Sequence, residues 1–314
     1  MSYKVYIDGQ HGTTGLQIQQ RLENHPEVEL ITIAEDKRRD RALREQCLNE
    51  AEVVFLCLPD DASREAVNLV TNPNTIIIDA SSAHRVDPSW VYGVPELPQQ
   101  RQRIRDSNRI TNPGCYPTGM TLLTTPLVRE GLLPKDYPLV VNAITGYSGG
   151  GKAMIADYQS QAAGTPEDIA ARPKNLDLKH KHLPEMQIVP GFDFPPVFVP
   201  TVANFEQGMI VQVPLHERLL NGPAGQLHQC LASAYSGETF VQLFPLNDVS
   251  QLDDGFLRPT ACNGTNRIEL FVFAADNGLI NLMARLDNLG KGASGAAVQN
   301  MNVRLGLDEA TGLL

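Results

Sequence analysis

The chain opens on a strand, a glycine-bearing turn and a helix, and this alternation repeats up to Asp79. Residues 3–7 alternate as a strand, 8–12 form the turn, and 13–24 carry Leu16, Ile18 and Leu22 at helical spacing. Further apolar runs at 28–34, 51–58 and 75–79 are separated by a charged stretch and by a helical pattern at 61–70. Strands joined through helices must cross over, which makes the sheet parallel. The fold class that follows is α/β, with a Rossmann-type parallel-sheet domain at the N-terminus.

Beyond Ala80 the pattern is irregular until a short strand at 109–111 and a helix expected from Pro117 onward. From about Leu139 the texture changes to longer alternating runs at 139–145, 197–202, 205–214, 240–243, 268–275 and 279–286, which suggest a mixed or antiparallel sheet. Helical stretches at 154–162 and 225–235 interrupt it, and 165–181 is a polar excursion. The last segment, 291–305, is rich in alanine and glycine, as suits a helix packed closely on a neighbour; the chain is expected to return there and complete the first domain. A length of 314 residues fits two domains, here 1–116 with 288–314 and an inserted α+β domain over 117–287.

Composition narrows the classes of function. With 36 acidic against 26 basic side chains the net charge is −10, and no long basic run offers a footprint for nucleic acid. The five cysteines are odd in number, widely spaced and contain no CxxC pair, which disfavours a disulfide framework or a zinc site. No basic stretch with an apolar h-region precedes the first strand, and no apolar run approaches about 18 residues. A cytoplasmic protein without membrane or nucleic-acid partners is expected.

Gly9, Gly12 and Gly15, with His11, Thr13 and Thr14 among them, lie between the first strand and helix. Glycines there let backbone amides approach a pyrophosphate, and the helix N-terminus favours its charge. The spacing is GxxGxxG rather than GxGxxG, so the strand and helix context carries the reading. After the second strand, Glu35, Asp36, Lys37, Arg38 and Arg39 occupy the place where such folds read the ribose. An acidic side chain there favours NAD and an arginine a 2'-phosphate; both kinds are present, and a solvated charged face is an equal alternative.

Cys115 follows Asn-Pro-Gly just before a helical pattern, and a thiol at a helix N-terminus is favoured as thiolate by the macrodipole. His180, His182 and Glu185 lie together in Lys-His-Lys-His-Leu-Pro-Glu. A neutral imidazole can take or give a proton, and a carboxylate can orient it. His-x-His also suits metal ligands on a strand, but no further carboxylate or cysteine cluster completes a shell, so no metal is expected.

Taken in order, Gly9 to Gly15, Asp79-Ala-Ser-Ser-Ala-His-Arg85, Tyr92-Gly-Val-Pro-Glu96, Asn112-Pro-Gly-Cys-Tyr-Pro-Thr-Gly119, Gly146-Tyr-Ser-Gly-Gly-Gly-Lys152, His180 to Glu185 and Asp287-Asn-Leu-Gly-Lys-Gly-Ala-Ser-Gly295 resemble the N-acetyl-gamma-glutamyl-phosphate reductases, within the aspartate-semialdehyde dehydrogenase superfamily. The length and the Ser-Ala-His-Arg wording resemble the shorter bacterial branch. The resemblance implies NADPH-dependent reduction of N-acetyl-L-glutamyl 5-phosphate to the 5-semialdehyde in arginine biosynthesis, with Cys115 as nucleophile, His182 as acid/base and Glu185 as its orienting partner. It implies cofactor contacts from Gly9 to Gly15 and at Lys37, Arg38, Ser81 and Asn288. It implies substrate or phosphate contacts at Arg85, Asn112, Ser148, His180 and Lys181, and a homo-oligomer, dimer or tetramer. Two alternatives stand beside it: an aspartate-semialdehyde dehydrogenase, and a non-catalytic NADP-sensing protein on the same scaffold.

Overall fold

The computed structural model describes residues 2–37 and 40–313. The chain divides into two compact units: Met1–Pro95 with Gln99–Pro113 and Ala293–Leu314, and Glu96–Pro98 with Gly114–Gly292.

The first unit is built on six strands, β1 (Tyr3–Asp8), β2 (Val28–Ile31), β3 (Val53–Leu56), β4 (Ile76–Asp79), β5 (Val91–Tyr92) and β6 (Arg109–Thr111), with helices α1 (Thr13–Leu22), α2 (Arg41–Glu50), α3 (Asp60–Leu69) and α4 (Gln100–Arg105). Every strand pairing in this sheet is parallel, in the order β2-β1-β3-β4-β6-β5. All residues of β3 and β4 are buried, which is why they read as continuous apolar runs and not as alternation. The order reverses at β1, whose neighbours are β2 and β3, so ligands of such a sheet bind beyond the carboxyl ends of β1 and β3.

The charged stretch after β2 contains a helix absent from the sequence reading. Asp40 starts α2 by accepting the amides of Ala42 and Leu43 at 2.9 and 3.2 Å, and only Cys47 and Leu48 of α2 are buried. So narrow an apolar face hides the helical period. The returning C-terminal helix, Gly295–Leu305, packs on α1, α4 and β4. Its residues 295–303 are all buried, so the small side chains serve close packing.

The second unit has a seven-stranded mixed sheet. Its strands are β7 (Val140–Gly146), β8 (Ala171–Pro173), β9 (Val197–Ala203), β10 (Met209–His216), β11 (Val241–Leu243), β14 (Ile268–Ala274) and β15 (Leu279–Leu286), with β12 (Leu252–Asp253) and β13 (Phe256–Leu257) forming a separate ribbon. The order is β11-β14-β15-β10-β7-β9-β8, with parallel pairs β7–β9 and β11–β14 and the rest antiparallel. Helix α5 (Cys115–Arg129) lies against β10 and β15, and also meets α7 (Leu183–Ile188) and α8 (Ala224–Ala234); α6 (Gly151–Gln159) follows β7.

Helix α5 starts at Cys115, two residues earlier than expected from Pro117. Proline in the first turn has no helical partner for its missing N–H, so it permits the helix rather than opening it. Pro126, further along, cannot bond Leu122, and the Leu122 carbonyl instead accepts the Tyr235 hydroxyl at 2.5 Å. That bond supplies the partner the proline removes.

Candidate active site

In the first unit the glycine turn follows β1 directly. A side chain on Gly9, whose φ is +91°, would overlap the Cys57 carbonyl, and one on Gly15 would overlap the Gly9 carbonyl oxygen. Both glycines are therefore demanded by a tight strand-to-helix passage. Gly12 starts α1 without a side-chain cap, and the Thr13 hydroxyl beside it is buried without a hydrogen-bond partner among the described residues. A buried hydroxyl and uncapped amides at a helix start are donors of the kind that suits a phosphate oxygen. Thr14 follows in the same first turn.

A cavity of about 480 Å³ adjoins this turn, bounded by Asp8, Gly9, His11, Arg41, Arg44 and Leu58 among others. Arg44 Nε donates to Asp8 Oδ2 at 2.8 Å. Burial raises the Asp8 carboxyl above its ordinary value, and the Arg44 guanidinium pulls the other way. Of the charged residues expected to read the ribose, Lys37 is exposed in a short 3-10 turn, Glu35–Lys37, and Arg38 lies outside the described residues. Arg41 and Arg44, both from α2, were missed because that helix was missed. Their signal was Asp40, a capping residue ahead of an amphipathic stretch.

Ser81 and Arg85 lie beyond β4. Ser81 donates to Asp79 Oδ2 at 2.8 Å and accepts the Ala83 amide at 3.1 Å; Arg85 Nη2 donates to the Ala80 carbonyl at 3.0 Å. His84 Nδ1 meets Asp79 Oδ2 at 2.6 Å and stacks on Trp90 at 4.3 Å. Asn112 is buried, with its Nδ2 donating to the Ala293 carbonyl at 2.8 Å.

In the second unit Cys115 is half-buried at the first position of α5, behind Gly114, which has no side chain to cap the helix. The α5 N-terminus favours an anion there. The other four thiols sit in different surroundings. Burial first, then nearby carboxylates, pushes Cys57 and Cys262 up to about 12 and also raises Cys47 and Cys230. Those four stay protonated at neutral pH.

The segment carrying His180, His182 and Glu185 folds over the start of α5. The Tyr116 ring meets the rings of His180 and His182 at 5.8 and 5.7 Å, and Phe198 of β9 closes on Tyr116 and His180 at 5.0 and 5.1 Å. Burial, with the Cys115 charge second, raises the Tyr116 phenol far above its ordinary value, so it stays neutral beside the thiol. His180 Nδ1 accepts the His182 amide at 3.1 Å, which puts the neutral ring's proton on Nε2. Glu185 Oε2 accepts the Gly114 amide at 3.0 Å. Lys181 is exposed.

Ser148 and Asn288 meet as well. Asn288 Nδ2 donates to Ser148 Oγ at 3.0 Å, and its Oδ1 accepts the Gly208 amide at 2.7 Å. The following residues run back to the nucleophile, where a Cβ on Gly292 would come within 2.9 Å of Cys115 Cβ. Tyr116, Phe198 and Gly292 were given no role by sequence reasoning: aromatic walls resemble core, and a glycine within a run of small residues does not say what it faces. Among the described residues, no group of three or more His, Cys, Asp or Glu side chains is placed to hold a metal ion.

Two family models match the chain: semialdehyde dehydrogenase, NAD binding domain, over residues 4–106, and semialdehyde dehydrogenase, dimerisation domain, over residues 115–288. An N-acetyl-gamma-glutamyl-phosphate reductase 2 from Nostoc sp. is 50% identical, with 99% of each chain covered. The chain belongs to the N-acetyl-gamma-glutamyl-phosphate reductase family. A reductase of that name from Rhizobium meliloti is 49% identical over 97% of this chain and 99% of its own. Among solved structures, aspartate semialdehyde dehydrogenase II from Vibrio cholerae superposes with a TM-score of 0.74 at 19% identity, covering 97% of this chain and 98% of that one. At that identity the likeness is one of fold. The N-acetyl-gamma-glutamyl-phosphate reductase family thus accounts for a dinucleotide-binding unit of parallel strands and a mixed-sheet dimerisation unit. No helix among the described residues is long and apolar enough to cross a membrane.

Proposed function

We propose that this chain reduces N-acetyl-L-glutamyl 5-phosphate to N-acetyl-L-glutamate 5-semialdehyde with release of phosphate, using NADPH and a Cys115 thioester. The observation that carries the reading is Cys115 at the start of α5 beneath the His180–Glu185 segment, with Tyr116 touching both histidines and Glu185 bonded to the preceding amide.

The Cys115 thiolate attacks the acyl carbon, and the carbon–oxygen bond to phosphate breaks to leave a thioester. NADPH, when bound, supplies the hydride that reduces this thioester. The resulting thiohemiacetal collapses as its oxyanion re-forms a carbonyl, expelling the Cys115 thiolate and freeing the aldehyde. His182 is the acid/base: it takes the Cys115 proton at the outset and gives one to the developing oxyanion, which it recovers as the aldehyde forms. His180, whose Nδ1 is committed to the His182 amide, shapes the pocket together with Ser148. Lys181 and Arg85 are the candidates to meet the phosphate's charge, with Asn112 as an amide donor.

For the cofactor, the orphaned Thr13 hydroxyl, the uncapped start of α1 and the crowded Gly9 and Gly15 fit a pyrophosphate. Arg41 and Arg44 in the adjoining cavity favour the 2'-phosphate of NADP over NAD. Ser81 and Asn288 complete the proposed cofactor contacts. The match to a dimerisation domain supports a homo-oligomer.

Purified protein is expected to reduce NADP in the reverse direction with N-acetyl-glutamate semialdehyde, only when phosphate is present. Activity with aspartate semialdehyde should be negligible, and Cys115→Ser should abolish turnover. Equal rates with both aldehydes, or a Cys115→Ser enzyme as fast as the parent, would overturn the reading.

A further inference from the structure

Glu185 is 1% exposed and lies in the first turn of α7, where its Oε2 accepts the Gly114 amide at 3.0 Å. Gly114 is the N-cap of α5, the residue just before its first helical position, Cys115. The first amides of a helix have no carbonyl partner within it. At the start of α5 these positions are Gly114, Cys115, Tyr116 and Pro117; Pro117 has no N–H, and Gly114 has no side chain to fold back. In a capping box the third helical residue, a Glu or Gln, reaches back to the amide of the capping residue. In α5 that third residue is Pro117, which cannot do so. Glu185 supplies the missing half of the box from another helix.

We propose that Glu185 is a positioning residue for the nucleophile itself: its carboxylate closes the start of α5, fixes the turn that carries Cys115, and sets a negative charge beside the thiolate. This rests on the reading of Cys115 as nucleophile, and it differs from a carboxylate that serves only to orient His182. Among the described residues, the titratable groups seen against the turn include Glu185, bonded to the Gly114 amide, and His180 and His182, whose rings meet the neutral Tyr116. A carboxylate bonded to the amide of the residue before Cys115 opposes the partial positive charge of the helix start. The gain is nucleophilic strength, because a thiolate held too stable attacks slowly.

The two roles predict opposite signs for one variant. Glu185→Gln keeps a side-chain acceptor for the Gly114 amide and removes the charge. If Glu185 acts on the turn, the thiolate then forms more easily; if it serves His182 alone, the imidazolium loses its counter-charge and the thiolate forms less easily. The test is the rate of Cys115 carbamidomethylation, read on the Cys115 peptide by mass spectrometry across pH, for the parent, Glu185→Gln, His182→Asn and the double variant. Near pH 6 Glu185→Gln is expected to be alkylated about threefold faster or more, with the same gain in the His182→Asn background. A gain below threefold, a slower rate, or a gain seen only with His182 present overturns the proposal. Glu185→Ala, which also removes the acceptor, should melt below Glu185→Gln; equal melting temperatures refute the closure of the helix start. The readout needs neither cofactor nor substrate, so a parent enzyme that fails to turn over would sink the reductase reading and leave this result standing.

Discussion

Gly292→Ala tests whether the backbone behind the nucleophile is as tight as its chemistry requires. The added methyl would lie 2.9 Å from Cys115 Cβ, 3.4 Å from Cys115 Cα and 3.1 Å from the Asp287 carbonyl oxygen. Carbon atoms pack at about 3.5–4.0 Å, so Cys115 and residue 292 must part by about 0.6–1 Å. The Gly292 amide bonds the Asp287 carbonyl at 2.9 Å, which anchors residue 292, and the strain falls on Cys115. Overpacking of this size costs about 1–3 kcal/mol, which the fold tolerates. Catalysis is less forgiving: a displacement of about 1 Å can cost about 10²-fold, or about 2.7 kcal/mol of barrier. The assay is kcat for phosphate-dependent NADP reduction, beside a melting curve and the rate of Cys115 carbamidomethylation. Gly225→Ala, where an added methyl meets nothing within 4 Å, is the control and should leave kcat unchanged. A Gly292→Ala enzyme within threefold of the parent in kcat would refute the view that Gly292 sets the nucleophile's place.

In the native protein at about pH 7.5, iodoacetamide should add one group per chain, at Cys115, because fewer than about one in a thousand of the Cys57 or Cys262 thiols is ionised when each is pushed up to about 12, and burial raises Cys47 and Cys230 as well; mass spectrometry showing modification elsewhere at a comparable rate would contradict this. Tyr235→Phe leaves the Leu122 carbonyl without the hydroxyl that replaces Pro126's missing amide, and should lower unfolding free energy by about 1–3 kcal/mol in urea. Its kcat should hold, and unchanged stability would show that the carbonyl finds another partner. Arg41→Ala should raise KM for NADPH about tenfold while changing KM for NADH less than threefold, as the loss of one charge-assisted bond to a 2'-phosphate requires. Equal effects on the two cofactors would remove Arg41 from phosphate recognition.

The parallel strands were legible because burial on both faces turns β3 and β4 into uninterrupted apolar runs, and β15 was legible to the residue, Leu279–Leu286. Helix α2 was not, since Cys47 and Leu48 are its only buried residues. The apolar run from Phe205 begins as a turn, and β10 starts only at Met209, because hydrophobicity marks burial and not extension. Local pattern therefore recovers elements with wide apolar faces and loses those that keep their charge.

The site divides along the same line. Cys115 could be read from its own neighbours, since a helix start after Asn-Pro-Gly is a local fact. What holds Cys115 in place could not, because Gly292 and Glu185 are remote in sequence and act through backbone atoms: a van der Waals limit at the Cys115 Cβ, and an amide at Gly114. A backbone amide leaves no letter in the sequence to pair with Glu185, whereas His182, three residues away, does. The letters therefore favour His182 as the partner of Glu185, and the 3.0 Å bond adds a claim for Gly114 that only the folded chain could make. Pro117 was the one local hint, since a proline at the third helical position leaves the capping box open and asks for a carboxylate from elsewhere.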